Sequence, residues 1–211
     1  MVSYHLRKLR EQNIVQENKS DADGREFYYS LNLDLVRNLY LASGNELHPG
    51  LGATESVEED DARVGRPVRV LFLCTQNSAR SQMAEGILRS VGQGRVEVFS
   101  AGAEPGEVHP MAISAMQEIK VDISRHISKH LNQFQGQSFD YVITVCDRVR
   151  ESCPIFPGDP IQIHWSIPDP ASVDGPEEIR YEAFRETRLQ LLTRIRYLWL
   201  IIQHNLKTLK A

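Results

Sequence analysis

Residues 68–74, VRVLFLC, form a nearly continuous apolar run rich in Val and Leu. That is the pattern of a strand buried on both faces of a parallel sheet. From Ser81 the period changes: Ala84, Ile87, Leu88 and Val91 recur at i, i+3, i+4 and i+7, predicting a helix stopped by Gly92. VEVFSAG (96–102) predicts a second strand. HPMAISAMQEI (109–119) predicts a helix with Pro110 in its first turn, where the missing N–H costs nothing. FDYVITVC (139–146) and IQIHWSI (161–167) predict a third and a fourth strand. A long helix is predicted from about Pro176, with Phe184, Leu191, Ile195, Leu198 and Ile202 on one stripe. Strands alternating with helices imply an α/β fold, a small parallel sheet with helices on both faces. Reactive groups in such folds lie beyond the carboxyl ends of the strands. Cys74 and Cys146 both fall there.

The first 44 residues follow another pattern. VSYHLRKLREQNIV puts Val2, Leu6 and Leu9 on one helical face, and Asn13 can end that helix in the left-handed conformation. Two strands around an Asp23-Gly24 turn are predicted next, with Phe27, Tyr29 and Leu31 alternating. Helix then hairpin is the second half of a winged helix-turn-helix. Residues 45–67 combine Gly, Pro and Ser with the acidic run Glu58, Glu59, Asp60 and Asp61, and lose all apolar periodicity. The expected organisation is therefore 1–44, a linker over 45–67, and a larger domain over 68–211.

Composition narrows the function. The 211-residue chain is 41% hydrophobic and 25% charged with a net charge of −4, which argues against a globally basic nucleic-acid binder. Its longest apolar run, YLWLII (197–202), is far too short to span a membrane. The start lacks a basic-then-apolar signal, so a cytoplasmic location is expected. Three cysteines in a reducing compartment are not expected to form structural bridges. Their chemistry is then the point of interest.

A strand-to-helix loop favours an anion, because successive backbone N–H groups and the positive helix N-terminus converge there. CTQNSAR (74–80) can therefore hold Cys74 as a nucleophilic thiolate and cradle a tetrahedral oxyanion over Thr75, Gln76, Asn77, Ser78, Ala79, Arg80 and Ser81. Arg80 supplies a planar fork for two oxyanion oxygens, and the Ser81 hydroxyl can donate to the sulfur. The plainer reading, a half-buried cysteine packed under a helix start, leaves the arginine and the small polar loop residues unexplained.

VLFLCTQNSARSQMAEG, FSAG, VCDRVRESCP and HWSIPDPA together resemble the low-molecular-weight protein tyrosine phosphatase family, specifically its thioredoxin-coupled arsenate reductase branch, over residues 68 to about 205. The resemblance implies Cys74 as nucleophile, Arg80 as anion clamp and Asp169 as general acid. It implies Cys146 and Cys153, six residues apart between them, as two further redox cysteines. Arsenate would be the substrate, phosphate a competitor and thioredoxin the electron donor, with no bound cofactor or metal. Ala171 follows Asp169-Pro170 where the phosphatases usually carry an aromatic wall, which favours a small inorganic anion. The family's potassium site would fall on Asn77, Glu85 and Ser100. Lys129 stands where another acidic ligand is expected there, so its ammonium either replaces the ion or is an ordinary solvated side chain.

Residues 2 to about 43 resemble a truncated ArsR-type repressor, with VSYHLRKLREQNIV as recognition helix and DADGREFYYSL as wing. That resemblance would put Ser3, Tyr4 and His5 near base edges and Arg7 near phosphates. Residues 1–45 carry six basic and six acidic side chains, a weak electrostatic footprint that argues against DNA as a partner. Two competing functions follow: a phosphatase on the same fold, and an ArsR-type regulator whose larger domain senses an oxyanion without turnover.

Overall fold

The computed structural model describes residues 2–20, 22, 25–47, 66–151 and 154–208. The chain divides into two units near Arg66–Pro67. In the N-terminal unit, helix α1 (Val2–Glu11) is followed by strands β1 (Val15–Lys19) and β2 (Phe27–Leu31), paired antiparallel with Val15 opposite Leu31. Asn13 takes φ 55°, ending α1 as its residue type allows. The Asp23-Gly24 turn lies outside the described residues. Phe27, Tyr29 and Leu31 do alternate, but on an exposed face.

A further helix, α2 (Leu33–Leu47), was not foreseen and includes residues 45–47, the first of the expected linker. Asn32 caps it, its side-chain oxygen accepting from Leu35 N at 3.2 Å. That asparagine, just ahead of Leu33, Val36 and Tyr40, was the available signal. Residues 48–65, the rest of the expected linker, lie outside the described residues.

The larger unit is built on a four-stranded parallel sheet, β3 (Val68–Cys74), β4 (Val96–Gly102), β5 (Tyr141–Thr144) and β6 (Ile161–His164), in spatial order β4-β3-β5-β6. Strands β3 and β4 keep their expected bounds. The third and fourth strands are shorter than expected, because pairing ends where Thr144 meets Leu73 on one side and His164 on the other. Cys146 accordingly lies two residues past β5 and not on its last residue. Helix α3 (Arg80–Gly92) starts one residue earlier than predicted. Gln93, not Gly92, takes the left-handed cap, and a Cβ on Gly92 would lie 2.1 Å from Val96 Cγ2. Ala84, Ile87 and Leu88 are buried, whereas Val91 is exposed in the last turn.

Helix α4 (Pro110–Gln117) has Pro110 at its start and His109 as cap, its Nδ1 accepting from Met111 N at 3.1 Å. The short helix α5 (Asp147–Glu151) follows Cys146 directly; five polar-rich residues carry too little periodicity to be foreseen. Helix α6 (Glu177–Thr208) packs against α3 and α4, and the five stripe residues are all at most 1% exposed. Helices flank the sheet, and the core runs from Phe72 and Ile143 in the strands to Met83, Met116 and Leu191 in the helices. The first strand, β3, has β4 on one side and β5 on the other. The chain order reverses between β3 and β5, so the crevice beyond their carboxyl ends is the expected ligand position. No helix among the described residues is long and apolar enough to cross a membrane.

Candidate active site

Cys74 ends β3 at that crevice and is 2% exposed. The carbonyls of the next four residues are all tied outward. Thr75 O accepts from Glu104 N at 2.9 Å and Gln76 O from Gly106 N at 2.9 Å. Asn77 O accepts from Ser128 Oγ at 2.6 Å and Ser78 O from His109 N at 2.8 Å. Planar peptides whose carbonyls face out direct their amides the other way. Asn77 N–H accordingly donates to Cys74 Sγ at 3.1 Å. No side chain caps the start of α3, so its first-turn amides add to the same positive region.

Asn77 holds the loop in shape. It sits at φ 49°, a conformation asparagine tolerates. Its side-chain amide donates to Ser81 Oγ and to Ser100 Oγ, both at 2.8 Å. Its carbonyl oxygen accepts from Lys129 N at 2.7 Å and from Gln82 Nε2 at 3.1 Å. Ser81 Oγ, which accepts from Asn77, lies 2.8 Å from Cys74 Sγ, where its hydroxyl can donate to a thiolate. The buried sulfur thus has two hydrogen-bonding neighbours, Asn77 N–H and the Ser81 hydroxyl.

Gly102 is required by the same loop. A Cβ there would lie 2.5 Å from Thr75 O and 2.8 Å from Asn77 N, both backbone atoms. Gly102→Ala is therefore expected to destabilise the protein by about 2 kcal/mol. It should also lower turnover, and thermal unfolding beside an activity assay checks both. Unchanged values would mean that the loop yields without cost.

Arg80 is 4% exposed. Its Nη1 donates to Ile167 O at 2.9 Å and its Nη2 to Asp169 Oδ2 at 2.8 Å. The other Asp169 oxygen accepts from Ala171 N at 3.1 Å, opening a 3-10 turn at Pro170–Ser172. The fold thus makes two hydrogen-bonded pairs, Cys74 with Ser81 and Arg80 with Asp169, from residues that span 95 positions of chain (169 − 74).

The profile described as low molecular weight phosphotyrosine protein phosphatase matches residues 69–209. The chain belongs to that family. It is 39% identical over 127 residues to a protein of Halalkalibacterium halodurans named arsenate reductase, covering 60% of this chain and 91% of that one. A solved structure described as an arsenate reductase in oxidized state matches with TM-score 0.54 at 34% identity, over 62% of this chain and 95% of the other. The thioredoxin-dependent arsenate reductase of Corynebacterium glutamicum matches with TM-score 0.53 at 29% identity, over 82% of this chain and 73% of the other.

Beside this phosphatase-family loop stands a second thiol. Cys146 is fully buried, with its Sγ 3.4 Å from Thr75 Oγ1. Burial pushes the Cys146 thiol up, helped by the Cys74 sulfur and opposed by Arg80 and Thr75. Cys146 is thus held as a thiol beside the loop cysteine. Cys153 lies outside the described residues.

Behind the loop, Glu85 is 3% exposed and pairs with Ser100 Oγ and the Arg89 guanidinium. Lys129 Nζ reaches Glu85 Oε2 at 3.5 Å and Ile127 O at 3.1 Å. Asn77, Glu85, Ser100 and Lys129 are therefore one cluster, with the ammonium on the carboxylate. Among the described residues no group of three or more His, Cys, Asp or Glu side chains is placed to hold a metal ion.

Sequence reasoning missed Gln82, in the first turn of α3, and Gly102, His109 and Ser128, which shape the loop from segments further along the chain. Their residue types carry no catalytic signal, and only the fold makes them neighbours. In the N-terminal unit Tyr4, His5 and Arg7 are exposed on α1, whereas the Ser3 side chain lies outside the described residues. Arg7 pairs with Glu11 at 3.8 Å and Arg10 with Glu17 at 2.7 Å.

Proposed function

We propose that this protein reduces arsenate to arsenite through Cys74, Cys146 and Cys153 and is regenerated by thioredoxin. The observation that carries the reading is the second thiol, Cys146, held against Thr75 of the anion loop. Phosphate-ester hydrolysis needs one loop cysteine and an acid. Reduction of As(V) to As(III) needs two electrons, and one dithiol becoming a disulfide supplies two. The relatives named arsenate reductase support the same choice.

In this scheme arsenate occupies the loop against the backbone amides and Arg80. The Cys74 thiolate attacks arsenic, forming an S–As bond, while Asp169 protonates the departing oxygen. Cys146 then attacks the Cys74 sulfur; the S–As electron pair stays on arsenic, which leaves as arsenite. Cys153 attacks Cys146, freeing Cys74, and a Cys146–Cys153 disulfide passes to thioredoxin. The Corynebacterium relative described as thioredoxin-dependent supports that donor, whose potential of about −270 mV suits a labile disulfide. Phosphate, nearly isosteric with arsenate, would compete for the loop without turnover. Ala171, small and exposed beside Asp169, is consistent with a small anion.

The test is arsenate-dependent NADPH oxidation with thioredoxin and thioredoxin reductase, run beside hydrolysis of para-nitrophenyl phosphate. Cys146→Ser and Cys153→Ser should each stop catalytic turnover of arsenate. Ester hydrolysis that needs neither, with no arsenate turnover in the parent, would make this protein a phosphatase.

Lys129 replaces a monovalent cation in this reading, since its ammonium already meets Glu85. Arsenate turnover should then agree within about a factor of two between potassium and sodium salts, because a filled site has no binding energy left to add. A steep potassium activation would return Lys129 to an ordinary surface role. The N-terminal unit would serve as part of a fused regulator or as a packing element. The internal pairing of Arg7 and Arg10 weakens its case for DNA.

A further inference from the structure

Cys146 is flanked by two residues that bond to one imidazole. His164, the last residue of β6, has Nδ1 2.8 Å from Thr144 Oγ1 and Nε2 3.0 Å from Asp147 Oδ1. Thr144 ends β5 and Asp147 begins α5, so the ring spans the stretch that contains the cysteine. The site is well buried: Asp147 is 3% exposed and Cys146 0%. Helix α5 begins at Asp147, the residue directly after Cys146. Thus α5 and the cysteine form one local unit, and Asp147 ties its first residue to the sheet.

The polarity of the contact follows from its surroundings. Burial holds His164 below its ordinary titration range, with Arg150 reinforcing this and Asp147 opposing it. A neutral ring with its proton on Nε2 donates to the Asp147 carboxylate and accepts the Thr144 hydroxyl proton at Nδ1. Each partner then uses the group it has, and the brace is satisfied on both sides.

We propose that the Thr144–His164–Asp147 brace positions Cys146 against the anion loop and sets how readily the Cys146–α5 segment opens. A thiol with no exposed surface cannot meet a bulky reagent without movement of the structure around it. The Asp147–His164 bond is a side-chain tie between the Cys146–α5 segment and the sheet. His164 and Asp147 are positioning residues in this proposal; neither touches the reacting atoms. The kinetic part rests on the reductase reading, and the accessibility part does not.

The test uses the full chain with Cys74→Ser and Cys153→Ser, leaving Cys146 as its single thiol, and follows its modification by N-ethylmaleimide. Asp147→Ala should speed modification by about tenfold, the loss of one buried hydrogen bond, and His164→Leu, which loses two, by at least as much. His164→Gln, which keeps a donor near the Nε2 position, should stay close to the reference. In the three-cysteine protein, His164→Leu should lower kcat for arsenate while KM stays within about twofold, because the anion loop is untouched. Modification at the reference rate in both folded variants would overturn the brace, as would a His164→Gln effect as large as that of His164→Leu. If His164→Leu fails to fold, Asp147→Ala decides. Absence of arsenate turnover in the parent would instead sink the reductase reading, while the modification rates still judge the brace.

Discussion

Cys74→Ser is expected to abolish arsenate reduction and phosphate-ester hydrolysis together, by at least about four orders of magnitude. The serine oxygen would sit where Cys74 Sγ now takes hydrogen bonds from Ser81 Oγ and Asn77 N. It would fit, but a hydroxyl does not ionise near neutral pH as a thiol does. It also cannot form the S–As bond or the disulfide through which two electrons leave in the proposed scheme. The exchange removes little volume from a site already braced by Asn77, so thermal unfolding should change little. Steady-state NADPH oxidation and para-nitrophenyl phosphate hydrolysis measure the two activities. Arsenate turnover surviving in Cys74→Ser would place the nucleophile on another cysteine.

Arg80→Lys should lower arsenate turnover by about a hundredfold to a thousandfold, although the charge is kept. Arg80 places one nitrogen on Ile167 O and another on Asp169 Oδ2. The guanidinium plane is thereby fixed by the segment that carries the acid. A lysine ammonium has no plane to fix and cannot meet two oxygens of an oxyanion in parallel. Asp169 would lose its partner in the same step, and with it the orientation that brings the acid to the departing oxygen. Both kcat and KM should suffer, because in the proposed scheme Arg80 holds the anion before and during attack. A change in KM alone would restrict Arg80 to binding.

Much of this site was legible in the residue pattern because its chemistry is local. A buried strand, a cysteine, a small polar loop and an arginine at a helix start fall within 13 residues (68–80), and hydrogen bonding along one short segment decides their geometry. The strand and helix signals were legible for the same reason. Periodicity in β3, α3 and α6 reflects which side of each element meets the core. Where that signal was weak the reading erred. The third and fourth strands ended earlier than their apolar runs, since pairing with β3 and between themselves stops at Thr144. Helix α5 is too short to show a period. Helix α2 was announced by Asn32 and its apolar spacing but carries exposed Leu39 and Tyr40, so its pattern resembled no single buried face.

The sequence by itself determined the order of the strands and of all helices but α2 and α5, the cysteine loop and the presence of three thiols, one of them followed six residues later by an arginine. These depend on neighbours along the chain. Only the tertiary structure decided that Thr75 meets Cys146, that Arg80 meets Asp169, that Lys129 lies on Glu85, and that His164 spans Thr144 and Asp147. Each of these pairs joins segments 17 to 89 residues apart. Such distances are closed by the parallel sheet, whose crossover connections bring the carboxyl ends of β3, β5 and β6 to one edge. Side chains with no local reason to interact become partners there because the buried core fixes where each strand ends.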